Sequence, residues 1–180
     1  SSGSTGSEAK TTEVLIGSER YPAGIQKTIV DEDFFDIKAQ VVDKDGQALL
    51  VLWHEKSDQI CQNTHYFFGR PGYTSHDSRL YLESSEVIEF IDRGNKGRRT
   101  IRDARTVTVE GFVEGSEMEK KIDVCQQWIA YRITSSEVDK ISENAIARIE
   151  IKTGMTASAE LFRVERNKNT LANQIKALGL

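Results

Sequence analysis

The sequence predicts one mainly β (α+β) domain: an antiparallel sheet or β-sandwich with a short helix near 136–143 and a C-terminal helix near 170–178. Three observations carry this expectation. Apolar and polar residues alternate over many short runs separated by turn residues, only two short stretches carry a helical period, and neither a strand-helix-strand alternation nor an internal repeat is present. A chain of 180 residues that is 38% hydrophobic can fill one core and is short for two ordinary domains.

The opening stretch, SSGSTGSEAKTTEV, has Ser or Gly at six of its first seven positions and no apolar anchor before Val14. Such a segment buries almost nothing, so residues 1–13 are expected to form a flexible linker and residues 14–180 a single β-rich domain. A small polar linker with no initiator Met is read as the start of a mature lipoprotein, tethered just upstream. The expected location is then exported, periplasmic or membrane-anchored in the cell envelope. A cytoplasmic protein, with residues 1–7 an expression-vector remnant, is the alternative.

Residues 15–30 show neither period, and Gly17, Pro22 and Gly24 predict an irregular lead-in. In FDIKAQVVDKDGQALLVLWHE (35–55), Ile37, Ala39 and Val41 alternate with Asp36, Lys38 and Gln40; Asp43 to Gly46 supply a turn, and a second apolar run follows. This is the strongest hairpin signal in the chain. Residues 57–77, around HYFFG, read as an ordered surface loop with one short strand. RLYLES (79–84) and VIEFID (87–92) are strand candidates, RGNKGR (93–98) a turn, and TVTVEGFVE (106–114) a strand whose phase change at Gly111 predicts a bulge. KIDVCQQWIAYRIT (121–134) predicts a long central strand. Ser135 or Ser136 can cap the short helix, AIARIEIKT (145–153) and TASAELFRVE (156–165) form a second hairpin, and Asn169 can cap a helix with Leu171, Ile175 and Leu178 on one stripe.

Composition excludes some functions. With 24 basic and 28 acidic side chains the net charge is −4, so a general nucleic-acid coat is not expected and any anion binding must be local. No run approaches the length of a membrane helix. There is no G-x-S-x-G, P-loop or G-x-G-x-x-G, and the contiguous Ser75-His76-Asp77 cannot form a catalytic relay because neighbouring side chains diverge. No cofactor, metal or catalytic set is expected. The carboxylate pairs Asp31 with Asp33 and Glu83 with Glu86 read as solvated charges.

Two clusters and one cysteine pair remain. The segment DRGNKGRRTIRDAR (92–105) places Arg93, Lys96, Arg98, Arg99 and Arg102 around a Gly-containing turn, a local positive lobe suited to an anionic or protein partner. Tyr66, Phe68, Arg70 and Tyr73 flank Pro71-Gly72 and form a candidate partner-binding surface, Tyr and Arg being favoured at interface hot spots. Cys61 and Cys125 are expected to form a disulfide, conditional on export. The reading that results is a non-catalytic cell-envelope binding or assembly module, lipid-tethered through its N-terminus and engaging a protein or anionic partner. The alternative is a metal-binding or hydrolytic enzyme with a site built from the His54–His76 region, where Cys61 and His65 are spaced C-x3-H.

Residues 151–161, IKTGMTASAEL, resemble the Gly-Met-Thr/Ala turn that closes the barrel of membrane-fusion adaptor proteins. The likeness covers eleven residues, and the long helical hairpin of that family has no counterpart in this sequence, so no membership follows from it.

Overall fold

The computed structural model describes residues 10–33, 36–55, 67–68, 78–90, 94–152 and 159–180, with the backbone alone at 94–107, 109 and 120–125. The chain starts its first sheet early. Strand β1 (Thr11–Ile16) and β2 (Glu19–Gly24) form a hairpin in which Val14 faces Tyr21, turned by Gly17 at φ 67°, and β3 (Lys27–Asp31) follows directly. The irregular lead-in expected over 15–30 is therefore three strands. Pro22 fits because it is exposed and next to the one register pair, Ala23 with Val42, through which β2 meets the next strand. Thr11 to Glu13 pair with Pro22 to Gly24, so these residues belong to the sheet and not to the expected linker. The Tyr21 hydroxyl donates to Glu19 Oε2 at 2.6 Å, and this bond, reinforced by burial, pushes the phenol pKa up to about 12.

The strongest sequence signal is realised as the hairpin of β4 (Asp36–Lys44) and β5 (Gln47–His54), in register from Lys38↔Trp53 to Lys44↔Gln47. Its two turn residues, Asp45 and Gly46, have φ of 52° and 89°, the left-handed pair of a type I′ turn, and Asp43 Oδ1 accepts from the Gly46 amide at 2.8 Å. β5 reads as a continuous apolar run because both its faces are covered. Ala48, Leu50 and Leu52 enter the main core, while Leu49, Val51 and Trp53 join Val14, Tyr21, Ala23, Trp128 and Ala130 in a second.

Next come the short hairpin β6 (Ser78–Leu82) and β7 (Val87–Phe90), then the long strands β8 (Gly94–Glu110) and β9 (Glu117–Arg132). The turn expected at RGNKGR lies inside β8, with Gly97 paired to Trp128 and Arg98 to Gln127. The bulge expected at Gly111 lies instead between Ile101 and Arg105, where Arg102 to Ala104 face the single residue Asp123. Helix α1 (Ser135–Glu143) is capped by Thr134, not by Ser135 or Ser136, in a reciprocal box with Glu137. β10 (Ile146–Ile151) and β11 (Glu160–Arg163) form the expected second hairpin, and α2 (Thr170–Leu178) ends the chain.

The result is a mixed α+β fold with two antiparallel sheets, a short helix and a C-terminal helix. The larger sheet follows the order β1-β2-β4-β5-β9-β8, with β3 beside β4, and the smaller one the order β11-β10-β6-β7. The expected antiparallel α+β domain with its two helices stands, and the β-sandwich description gives way to this mixed arrangement, because Ile141 of α1 and Leu171 and Ile175 of α2 enter the same core as both sheets. Tyr131 of β9 joins the sheets by stacking on Phe90 (centroids 5.0 Å apart) and bonding Ser78 Oγ at 2.6 Å. No helix among the described residues is long and apolar enough to cross a membrane.

Candidate functional site: a basic groove at the head of the last helix

The site begins as a gap in a sheet. Along one side of β4, pairing with β3 ends at Ala39 and pairing with β2 takes over at Val42, which leaves Gln40 and Val41 between them. Buried amides need partners, and two glutamines supply them. The Val41 N–H donates to Gln174 Oε1 at 2.7 Å, and Gln174 Nε2 donates to the Ile25 carbonyl at 2.7 Å and to Thr170 Oγ1 at 3.1 Å. Gln40 Nε2 donates to the Gly24 carbonyl at 2.8 Å, and Gln40 Oε1 accepts from the Trp53 indole. Gly24 has no side chain for a steric reason: a Cβ there would overlap Gln174. The first half of α2 is thus fixed over the seam where β2, β3 and β4 meet.

Above this seam lies a groove of about 800 Å³, floored by Ile25, Thr170 and Gln174. Its cationic rim is Lys10, Lys27, Arg166 and Lys168, and Glu165 is its one carboxylate among the described residues. Lys10 and Lys27 make no ion pair among the described residues, whereas Arg166 reaches Asp31 at 3.4 Å and Lys168 reaches Glu83 at 3.5 Å. Both pairs are exposed, so a bound anion competes with them at little cost. Asn167 shapes the approach to the helix: at φ 55° it turns the chain, donates from Nδ2 to the Thr28 carbonyl at 2.7 Å, and accepts from the Thr170 amide at 3.1 Å. Asn169 occupies the N-cap position but makes no side-chain cap bond, and the first turn of α2 carries no acid. The positive end of the helix dipole therefore adds to the rim charge instead of being neutralised.

The sequence-predicted sites lie elsewhere. Lys96, Arg98, Arg99 and Arg102 run along the extended backbone of β8, so they do not surround a turn; Arg93 lies outside the described residues. Of the aromatic set, Phe68 is 1% exposed in the main core and edge-on to Phe67, which removes it from any partner surface. Tyr66, Arg70 and Tyr73 lie outside the described residues, as do His65, His76 and the Ser75-His76-Asp77 triplet. His54, the described end of the proposed enzyme site, is buried; it stacks on Phe67 at 3.9 Å, and its Nδ1 is 3.2 Å from the Asp36 carbonyl oxygen. No cluster of three metal-binding side chains occurs among the described residues. Of the carboxylates read as solvated, Asp31 and Glu83 are partners of groove cations, and Glu86 pairs with Lys140 at 3.5 Å.

The groove escaped the sequence reading because Lys10, Lys27 and the 166–168 pair are far apart in the chain. One signal pointed to it: Arg166-Asn167-Lys168-Asn169 runs straight into the predicted C-terminal helix.

Among the described residues there is no disulfide, and Cys61 and the Cys125 side chain lie outside them. No protein-family model matches the chain, and neither does any curated protein or solved structure. With no relative to carry them, the lipoprotein, periplasmic and cell-envelope labels and the disulfide are withdrawn, and the mixed α+β fold with two sheets stands in their place.

Proposed function

We propose that this chain is a binding or assembly module whose working surface is the groove at the head of α2, and that it engages an acidic segment of a protein partner. The observation that supports this reading is that, among the described residues, four cations and one carboxylate line a shaped concavity, with only Arg166 and Lys168 held by exposed carboxylates outside it, on a chain whose net charge is −4. A surface of opposite sign to the whole molecule selects its ligand by charge, while the rigid floor made by Gln174 and Ile25 limits what fits.

Calorimetric titration of the full chain with a hexaglutamate peptide tests it. Binding is expected in low salt and should weaken steeply as ionic strength rises from roughly 0.05 to 0.3 M, since the Debye length shortens across that range. The double variant Lys27→Gln with Lys168→Gln should lose most of the affinity while melting as the parent does, because neither side chain enters the core. No binding in low salt, or binding indifferent to both changes, overturns the reading.

A further inference from the structure

The second feature is the far end of the longest hairpin. Among the described residues β9 pairs with β5 only from Gln127 to Arg132, and Glu117 to Gln126 have β8 as their one partner strand. Ten residues of two-stranded ribbon reach roughly 33 Å at about 3.3 Å per residue. The ribbon ends in an ordered turn: the Gly111 amide donates to the Ser116 carbonyl at 2.9 Å, the Ser116 amide donates to the Val113 carbonyl at 2.9 Å, and Gly115 has φ 78°. A Cβ at Gly111 would meet the Ser116 hydroxyl, which would have to turn away from the Val113 carbonyl it donates to.

This ordered turn holds apolar side chains in water. Phe112 is 103% exposed, Val113 71% and Met118 44%. Segment 110–119 (EGFVEGSEME) carries four glutamates and no cation. Glu110 faces Glu117 directly across the last register pair, with Glu119 two residues on, and like charges opposite one another destabilise a hairpin. None of the four makes an ion pair among the described residues. An apolar knob in an acidic collar lowers its free energy by entering a concavity with a cationic rim, and the groove at the head of α2 has that form, with Ile25 39% exposed at its floor.

We infer that the occupant of the groove is the arm tip of a second copy of this chain: Phe112 enters against Ile25, while Glu114, Glu117 and Glu119 meet Lys27, Arg166 and Lys168. This rests on the groove reading above and names its partner. The contact joins two different patches, so it is heterologous, and copies assemble head to tail or exchange arms in pairs. One knob and a few exposed charges make a small interface, so the association is weak, reversible and salt-sensitive. The acidic collar disfavours the competing use of such a tip, insertion into an anionic membrane.

Sedimentation velocity over a range of concentrations, on the full chain and two variants, tests the inference. Phe112→Ser removes the knob, and Lys27→Glu with Lys168→Glu reverses the rim; each alone should stay monomeric where the parent associates. Mixed in equal amounts, the two should form a one-to-one complex, since one retains an intact groove and the other an intact tip. The dissociation constant of the parent should rise by more than about tenfold when both contributions are lost. Retained self-association of the rim variant would mean that tip meets tip, and would overturn the proposal. So would a parent that stays monomeric at every concentration. Hexaglutamate binding by that monomeric parent would leave the groove reading standing, whereas absence of both would remove the two together. Flotation of the parent, but not of Phe112→Ser, with phosphatidylserine vesicles in the absence of self-association would assign the tip to a membrane and overturn the inference.

Discussion

The seam beneath α2 and the tip of the β8–β9 arm use side chains in opposite ways. At the seam two glutamines, Gln40 and Gln174, are 1% and 2% exposed, and their amide groups serve backbone atoms of β2, β4 and the link between β2 and β3. At the tip, apolar Phe112 and Val113 face water, and the turn that holds them is closed by its own backbone. Polar groups inside and apolar groups outside each depart from the usual partition, and the two departures have different consequences. The first is forced by the fold, since a strand with two successive neighbours along one side leaves amides that only a side chain can reach. The second has no counterpart in the fold's own needs, and the proposed contact with a second copy rests on it.

The largest expected effect tests the seam. Gln174→Ala removes the acceptor of the Val41 amide and the donor to the Ile25 carbonyl, and leaves a cavity beside both. Buried groups stripped of partners cost about 1–3 kcal/mol each, so a loss of roughly 3 kcal/mol is expected in urea unfolding. A loss under about 1 kcal/mol would show that water replaces the side chain, and the contrast with the tip would then fail.

Gly24→Ala sharpens the same point from the other strand. The added methyl would overlap Gln174, so either the helix lifts or the glutamine rotates away from Val41. A destabilisation of about 2 kcal/mol is expected, as for overpacking at a closed site. In the background of Gln174→Ala the methyl has room, and most of that cost should vanish; a double-mutant cycle measures the coupling. Additive costs would place the strain elsewhere.

How much of each region was legible follows from how local its determinants are. The β4–β5 hairpin was readable because its alternation and its Asp45-Gly46 turn occupy twelve consecutive positions, and α2 because Leu171, Ile175 and Leu178 repeat within one helix. β1 to β3 were not readable: Gly17 and Pro22 imitate an irregular segment, although Gly17-Ser18 is itself a two-residue hairpin turn. Gly94 and Gly97 suggested a turn by composition, whereas pairing with Tyr131 and Trp128 keeps both extended. The groove was invisible for the reason that its cations come from three separate segments. Phe112 was expected inside the strand run 106–114, whereas β8 ends at Glu110 and leaves it in the turn; nothing local separates an apolar residue that packs from one that projects.

Helix α1 lies between the two extremes. Its cap, Thr134, is exposed, yet it closes a reciprocal box in which its hydroxyl accepts from the Glu137 amide at 3.4 Å and Glu137 Oε1 accepts from the Thr134 amide at 3.0 Å. Thr134→Ala should cost about 1 kcal/mol, the usual size for an N-cap, measured by the same urea unfolding. A cost near zero would mean that burial of Ile141 alone holds the helix.

The smallest effect on stability is expected at the most conspicuous side chain. Phe112 makes no burial that folding could lose, so Phe112→Ser should leave the unfolding free energy within about 0.5 kcal/mol of the parent, as for exposed positions away from caps and cores. The turn itself should survive, because its closing bonds run from Gly111 to Ser116 and from Ser116 to Val113 through atoms the substitution does not touch. Measured in dilute protein, where copies are apart, the variant therefore isolates the folded monomer. Measured at rising concentration, parent and variant should diverge, the parent gaining apparent stability by mass action as association draws on the folded state. A variant that is unstable even when dilute would show that Phe112 packs within its own chain, and the opposition between seam and tip would collapse into two parts of one core.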